Sequence, residues 1–214
     1  MIILASQSPR RVELLRLLGC DFEVRPAAVD ESLRPGEAAE DYVLRLAEAK
    51  ARAAHSAAPA GAILVGADTA VVDRGQVMGK PVSLEDAIRM LRQLRGRAHR
   101  VYTAVAVLRA SDGRLLTDLC TTEVPMRAYA DDEIRKYADS GDPMDKAGGY
   151  AIQNSDFRPV EGLAGCFANV MGLPLCHLTR TLRKLALSPR ADVPVRCQDE
   201  LGYDCPVYNQ ILAV

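Results

Sequence analysis

The spacing of apolar residues changes period several times along this chain, and each change marks an element. Met1 to Ala5 is a short apolar run that meets polar residues at once, which predicts a buried first strand. Ser8 stands where an N-cap belongs, Pro9 takes the first helical position, and leucines recur up to Gly19 as a stop, so a helix follows. Phe22 to Arg25 reads as a second short strand. After the polar stretch Asp30 to Gly36, a long helix is expected from Glu37 to about Ala58, with Val43, Leu46, Lys50 and Ala53 on one face. Lys50 thereby interrupts an otherwise apolar stripe. Ala62 to Val72 holds two apolar runs around Asp68-Thr69, the pattern of a buried strand that delivers a carboxylate near its end.

Further along, Ser83 caps a helix whose Ala87, Met90, Leu91 and Leu94 keep helical spacing until Gly96 ends it. Val101 to Leu108 and Leu115 to Val124 are rich in β-branched residues, and Ser111-Asp112-Gly113 between them signals a hairpin. Asp131 to Asp139 reads as a short charged helix, and the stretch from Gly141 through Gln153 as a loop, being rich in glycine and charge. Leu173 to Leu187 is expected to be a last amphipathic helix. The residues from 188 to 214 show no clear period and hold three of the twelve prolines, so they read as an extended tail. Strands alternating with helices around one antiparallel pair predict an α/β fold with a mixed, twisted sheet and flanking helices.

Composition narrows the function classes. With 214 residues, 49% of them hydrophobic, the chain can bury a proper core. Its 27 Lys and Arg nearly balance 28 Asp and Glu, so no broad nucleic-acid surface is advertised and any anion must be recognised locally. The four apolar residues at the start are too few for a signal h-region or for the roughly 20 residues of a membrane span, so a cytoplasmic protein without membrane attachment is expected. Six cysteines lie far apart without C-x-x-C spacing, which favours reduced thiols over zinc. Only Cys197 and Cys205 are close enough in sequence to invite a local disulfide.

Candidate chemistry gathers in a few short segments. Ser6-Gln7-Ser8-Pro9-Arg10-Arg11 places hydroxyls and guanidinium groups at a strand-to-helix turn, where a helix N-terminus can hold an anion. Asp68 ends an apolar run in which an isolated carboxylate would be costly without a partner, and a metal ion or activated water would supply one. Lys80, between Gly79 and Pro81, and Lys146, before Gly148-Gly149, put cations beside residues that allow close backbone approach. Glu31 is a second acidic candidate. Singly, each of these also reads as solvated loop charge or an ordinary cap; together they suit a highly charged, metal-bound phosphate substrate. No G-x-x-x-x-G-K-[ST] run and no kinase-type glycine loop is present.

S-x-S-P-R-R at Ser6–Arg11, V-D-E at Val29–Glu31, G-A-D-T at Gly66–Thr69, G-K-P at Gly79–Pro81, D-K-A-G-G-Y-A-I-Q at Asp145–Gln153 and G-L-P-L at Gly172–Leu175 resemble, in content and order, the Maf nucleotide pyrophosphatases. The resemblance spans roughly residues 1–187, leaving 188–214 as a tail without counterpart. It implies two lobes around a central nucleotide-binding cleft, cleavage between the α and β phosphates, and a divalent cation such as Mg or Mn. Asp68 would be the catalytic proton acceptor and, with Glu31, a metal ligand; Ser8, Arg11, Lys50, Lys80 and Lys146 would line the phosphates. Arg10, Thr69 and Gln153 match the dTTP/UTP branch rather than the 7-methyl-GTP branch. The implied partner is a nucleoside triphosphate, with a homodimer as a further expectation. Two other readings stay open: a house-cleaning pyrophosphatase for modified nucleotides, and a nucleotide-binding regulator of septum formation.

Overall fold

A computed structural model describes residues 1–56 and 58–213. In chain order the elements are β1 (Ile2–Leu4), α1 (Pro9–Arg16), β2 (Phe22–Val24), α2 (Ala39–Ala53), β3 (Ile63–Asp73), β4 (Gln76–Met78), α3 (Leu84–Leu94), β5 (Ala98–Arg109), β6 (Leu115–Pro125), α4 (Asp131–Asp139), α5 (Phe167–Met171), α6 (Leu175–Arg183), α7 (Val193–Leu201) and α8 (Tyr208–Leu212). Two short 3₁₀ turns, Asp142–Asp145 and Ala147–Gly149, lie between α4 and α5. The strands form one six-stranded mixed sheet in the order β2-β1-β3-β5-β6, with β4 also paired to β3. β1 runs parallel to β2 and β3, as strands joined through the crossover helices α1 and α2 must, while the β3, β5 and β6 pairs are antiparallel.

Side chains of alternating direction on β3 and β5 feed separate apolar layers. Ile63, Val65, Ala67, Val105 and Val107 pack with leucines of α1 and α6 on one face, whereas Leu64, Ala70, Ala104 and Ala106 meet Val43, Ala47 and Ala51 of α2 on the other. A third cluster gathers Val71, Met78, Leu91, Leu94, Ile134 and Phe157 around α3 and α4.

Several boundaries differ from the sequence reading. The helix expected to reach Ala58 ends at Ala53; Ala57 lies outside the described residues. Its buried face is Val43, Leu46, Ala47, Lys50 and Ala51, with Ala53 exposed, because the stripe follows the i, i+3, i+4, i+7, i+8 set closely. The helix expected from Leu173 starts at Leu175, since Gly172 closes α5 in the left-handed region and Pro174 caps α6. The C-terminal segment is helical rather than extended. Asp192 caps α7 by accepting from the Val195 amide, Pro194 fits its first turn, and Val193 is buried in the core. All six cysteines are free. Among the described residues no helix is long and apolar enough to cross a membrane.

Two buried histidines give the fold an acid-sensitive term. Burial holds His99 and His177 in the neutral form, each with a pKa lowered to about 4. In the unfolded chain both would take up a proton near the ordinary value of about 6.5, so their contribution to stability is complete above that pH and is lost as pH falls towards 4. Urea denaturation across this window should show stability declining with a slope that approaches two protons per molecule. A flat profile between about pH 7 and pH 5 would contradict the burial of neutral imidazoles.

Candidate active site

The sheet is split along one edge of β3. Ile63–Val65 of that edge pair with β1, and Val71–Asp73 pair with β4. Among the described residues, Gly66 to Ala70 have no strand partner on this side, while β5 backs them continuously from the other. Asp68 and Thr69 fall in this gap, so consecutive side chains that point to opposite sheet faces can both open into one cleft. The β1 and β4 sides of the gap form the two walls.

Close approach of α2 sets the acidic centre. A Cβ at Gly66 would stand 2.1 Å from the Ala47 carbonyl oxygen, so only glycine lets the helix lie this near β3. One turn beyond Ala47, Lys50 places its Nζ 2.6 Å from Asp68 Oδ1 and 2.6 Å from Glu31 Oε1. Lys50 and Asp68 are each only 7% exposed, so neither charge could remain there alone. Burial pushes the Glu31 pKa up, but the hydrogen bond and charge of Lys50, helped by Lys80 and Arg11, prevail and hold it below the ordinary carboxylate range. Two carboxylates on one ammonium leave a local excess of negative charge.

Arg11 locks the opposite face. From α1 its Nε donates to the Gly172 carbonyl at 2.8 Å and its Nη2 to Thr69 Oγ1 at 3.0 Å, with Ser6 Oγ accepting from Nη1 at 3.3 Å. Thr69 Oγ1 in turn lies 3.0 Å from Thr103 Oγ1, which donates to the Asn169 carbonyl at 2.9 Å. Burial lowers the Arg11 pKa, and the Asp68 charge opposes that shift. Ser8 caps α1, its Oγ accepting from the Arg11 amide.

The remaining cations come from two loops that are stitched together. The Gly148 amide donates to the Gly79 carbonyl at 3.0 Å, joining the segment that carries Lys146 to the one that carries Lys80. Gly148 has φ +72°, and a Cβ there would press on Val71 Cγ1 at 2.9 Å, so the turn requires glycine twice over. Lys146 is buried, its Nζ donating to Asp145 Oδ1 at 2.5 Å and Asp142 Oδ1 at 2.9 Å. Arg10 meets the same Asp145 at 3.2 Å. Lys80 and Gln153 are exposed at the rim.

Asp68, Glu31, Ser8, Arg10, Arg11, Lys50, Thr69, Lys80, Lys146 and Gln153 all line this one cleft, whose volume is about 790 Å³. Sequence reasoning missed Tyr42, which also lines it, and the Thr103 and Asn169 pair behind Thr69. Tyr42 was discoverable, since Tyr42, Leu46 and Lys50 fall on one i, i+4, i+8 ridge. Among the described residues no group of three or more His, Cys, Asp or Glu side chains forms a metal cage. Asp68 and Glu31 nevertheless fit an ion of the Mg type, which is held by one or two hard carboxylates and completes its shell with phosphate and water.

The Maf-like protein family matches residues 1–185. The chain belongs to that family. It is 43% identical to the dTTP/UTP pyrophosphatase of Hahella chejuensis over 89% of this chain and 95% of that one. Identity is 47% with the dTTP/UTP pyrophosphatase of Geotalea uraniireducens, over 86% of this chain and 94% of the relative. With the protein of that name from Anaeromyxobacter dehalogenans it is 49%, over 86% and 93%. Among solved structures, the Ham1 protein of Staphylococcus aureus matches at 17% identity and a TM-score of 0.40, over 59% of this chain and 72% of that one, too distant to bear on the site.

In this Maf-like chain the glycine of G-A-D-T has a measurable consequence. Gly66→Ala forces α2 off β3 and draws Lys50 away from Asp68, so it should cost about 1–3 kcal/mol or more, the range for overpacking a core. Urea denaturation measures it, and a loss under about 0.5 kcal/mol would mean that the helix can shift freely.

Proposed function

We propose that this protein hydrolyses dTTP and UTP to the nucleoside monophosphate and pyrophosphate, in the cytoplasm and without nucleic acid or a membrane as partner. The observation that carries the reading is the buried Lys50 shared by Asp68 and Glu31 at the centre of a cleft whose walls bear Arg10, Arg11, Lys80 and Lys146. The names of relatives 43% to 49% identical over most of their length support the substrate class.

A triphosphate carries more negative charge than any one of these cations can match, and the cations stand on separate elements, as a chain of phosphates needs. Lys80, Lys146 and Arg11 take phosphate oxygens, and Ser8 and Lys50 complete the phosphate contacts from the floor. Asp68 and Glu31 would hold a divalent cation such as Mg or Mn. When bound, that ion neutralises charge building on the phosphates. Asp68 gives one carboxylate oxygen to Lys50, and its other oxygen would both face the cation and orient the attacking water. As the water oxygen bonds to the α phosphorus, the α–β bridging oxygen departs with pyrophosphate and Asp68 accepts the proton. At the rim, Gln153 offers both an amide donor and a carbonyl acceptor, which match the O4 and N3–H edge of thymine or uracil, and Arg10 and Thr69 complete that selection.

Asp68→Asn keeps the size of the side chain but can neither accept the proton nor carry the charge, so kcat should fall about a hundredfold or more with the fold intact. Retention of more than a third of wild-type kcat would remove Asp68 from the centre of the reaction. On a panel of nucleoside triphosphates, kcat/KM should be highest for dTTP and UTP. CTP reverses the donor and acceptor on the base edge, and each buried group left unpaired costs roughly 1–3 kcal/mol. Gln153→Glu and Arg10→Ala should compress that preference. Equal efficiency on CTP or on 7-methyl-GTP would sink the assignment, and tight nucleotide binding with no pyrophosphate released would favour a sensor instead.

A further inference from the structure

Glu31 reaches the acidic centre from an unusual support. Residues 25–38, between β2 and α2, contain no helix or strand, and residues 30–36 are all exposed. Ala27 packs against the core upstream, but no apolar side chain of 30–36 is buried, and such a stretch would ordinarily open at little cost. Glu31 itself has a side chain 56% exposed, so its ion pair with Lys50 is too weak to order the loop by itself.

Two side chains of α2 hold the loop instead. The Tyr42 hydroxyl donates to the Glu31 carbonyl at 2.9 Å, and Arg45 Nη2 donates to the next carbonyl, that of Ser32, at 3.1 Å. The two residues are three apart on one helix face, and the Arg45 guanidinium lies 5.6 Å from the Tyr42 ring centroid, so each braces the other. Arg45 also grips Glu37 through a fork, Nε to Oε1 at 2.6 Å and Nη2 to Oε2 at 2.7 Å, while Glu37 Oε2 accepts from the Arg34 amide. Both ends of the exposed stretch are thus tied to α2, the helix that also carries Lys50.

We propose that Tyr42 and Arg45 are positioning residues for Glu31, clamping two consecutive loop carbonyls to α2 so that the carboxylate is delivered beside Lys50 and Asp68. The inference rests on the function proposed above. The Glu37 hydrogen bond raises the Arg45 pKa further. Lysine at position 45 would preserve the charge and lose the fork, which makes it the diagnostic conservative variant.

The test combines hydrogen exchange on the ligand-free protein with dTTP kinetics for Tyr42→Phe, Arg45→Met, Arg45→Lys, Glu31→Gln and the Tyr42→Phe/Glu31→Gln pair. Amide exchange at Arg34 and Glu37, the loop N–H groups that donate within the Arg45–Glu37 tie, should quicken in Tyr42→Phe and Arg45→Met while α2 keeps its protection, with Arg45→Lys in between. Tyr42→Phe should lower kcat/KM about fivefold, the scale of one net hydrogen bond, and should have almost no further effect once Glu31 is glutamine. A purely structural tyrosine would lower activity equally in both backgrounds, and that result would overturn the proposal, as would unchanged exchange in the loop. Full activity of Glu31→Gln would also overturn it, by leaving nothing to position. A wild-type protein that releases no pyrophosphate from any nucleotide would refute the function, and the exchange measurement would still decide whether the clamp exists.

Discussion

The arrangement depends on one ammonium group. Lys50 is buried on the apolar face of α2, where an unpartnered charge would be costly, and Asp68 and Glu31 each approach it to 2.6 Å. A buried ion pair is a poor source of stability, but removing one partner leaves an uncompensated charge, so such a group fixes geometry more than it strengthens the fold. Here that geometry is strict. Gly66 brings the helix against the strand, the strand holds Asp68 rigidly between β5 and the cleft, and the loop must supply the second carboxylate.

Splitting the sheet serves the same centre. If β1 continued alongside β3 beyond Val65, the edge from Gly66 to Ala70 would be covered by backbone and no ligand could reach Asp68. Because β1 stops and β4 begins only at the far end of β3, the chain leaves β1 at Ala5 and turns into α1 beside the opening, which places Ser8, Arg10 and Arg11 there. The other wall is formed by loops, and its cations are therefore held by side-chain ties and glycine turns rather than by a ladder. One carboxylate fixed on a strand, Asp68, facing the loop cations Lys80 and Lys146, suits a substrate whose phosphates must change position during cleavage.

Much of this was legible in the sequence. Ser8-Pro9, Ser83 and the Ser111-Asp112-Gly113 hairpin carry start and turn chemistry that is local, and the structure places elements where those signals stand. The sequence shows Lys50 interrupting an apolar stripe, and the structure buries it there. The gap in the sheet was not legible, because periodicity gives the direction of side chains along a strand and not which strand edges meet. Tyr42 was passed over because a half-buried tyrosine on a helix has the same local pattern whether it packs or donates. The C-terminal segment was misread through its prolines. Asp192, Pro194 and Gly202 are a cap, a first-turn proline and a left-handed stop, and the prolines that suggested an irregular tail are in part the marks of α7.

The cations of the cleft do not stand on equal terms. Arg10 and Lys146 are both engaged with Asp145, and Lys146 with Asp142 as well, so a phosphate that takes them exchanges one anion for another. The gain from such an exchange is the difference between two charge-assisted contacts and not the whole of one. Among the described residues Lys80 forms no ion pair and is exposed at the rim, yet its charge is felt at Glu31. Under the proposed function Lys80 would attract the approaching triphosphate, whereas Lys146 and Arg10 would come into play only as the loops yield their aspartates. Asp145 then supplies the counter-charge for both cations when no phosphate is bound.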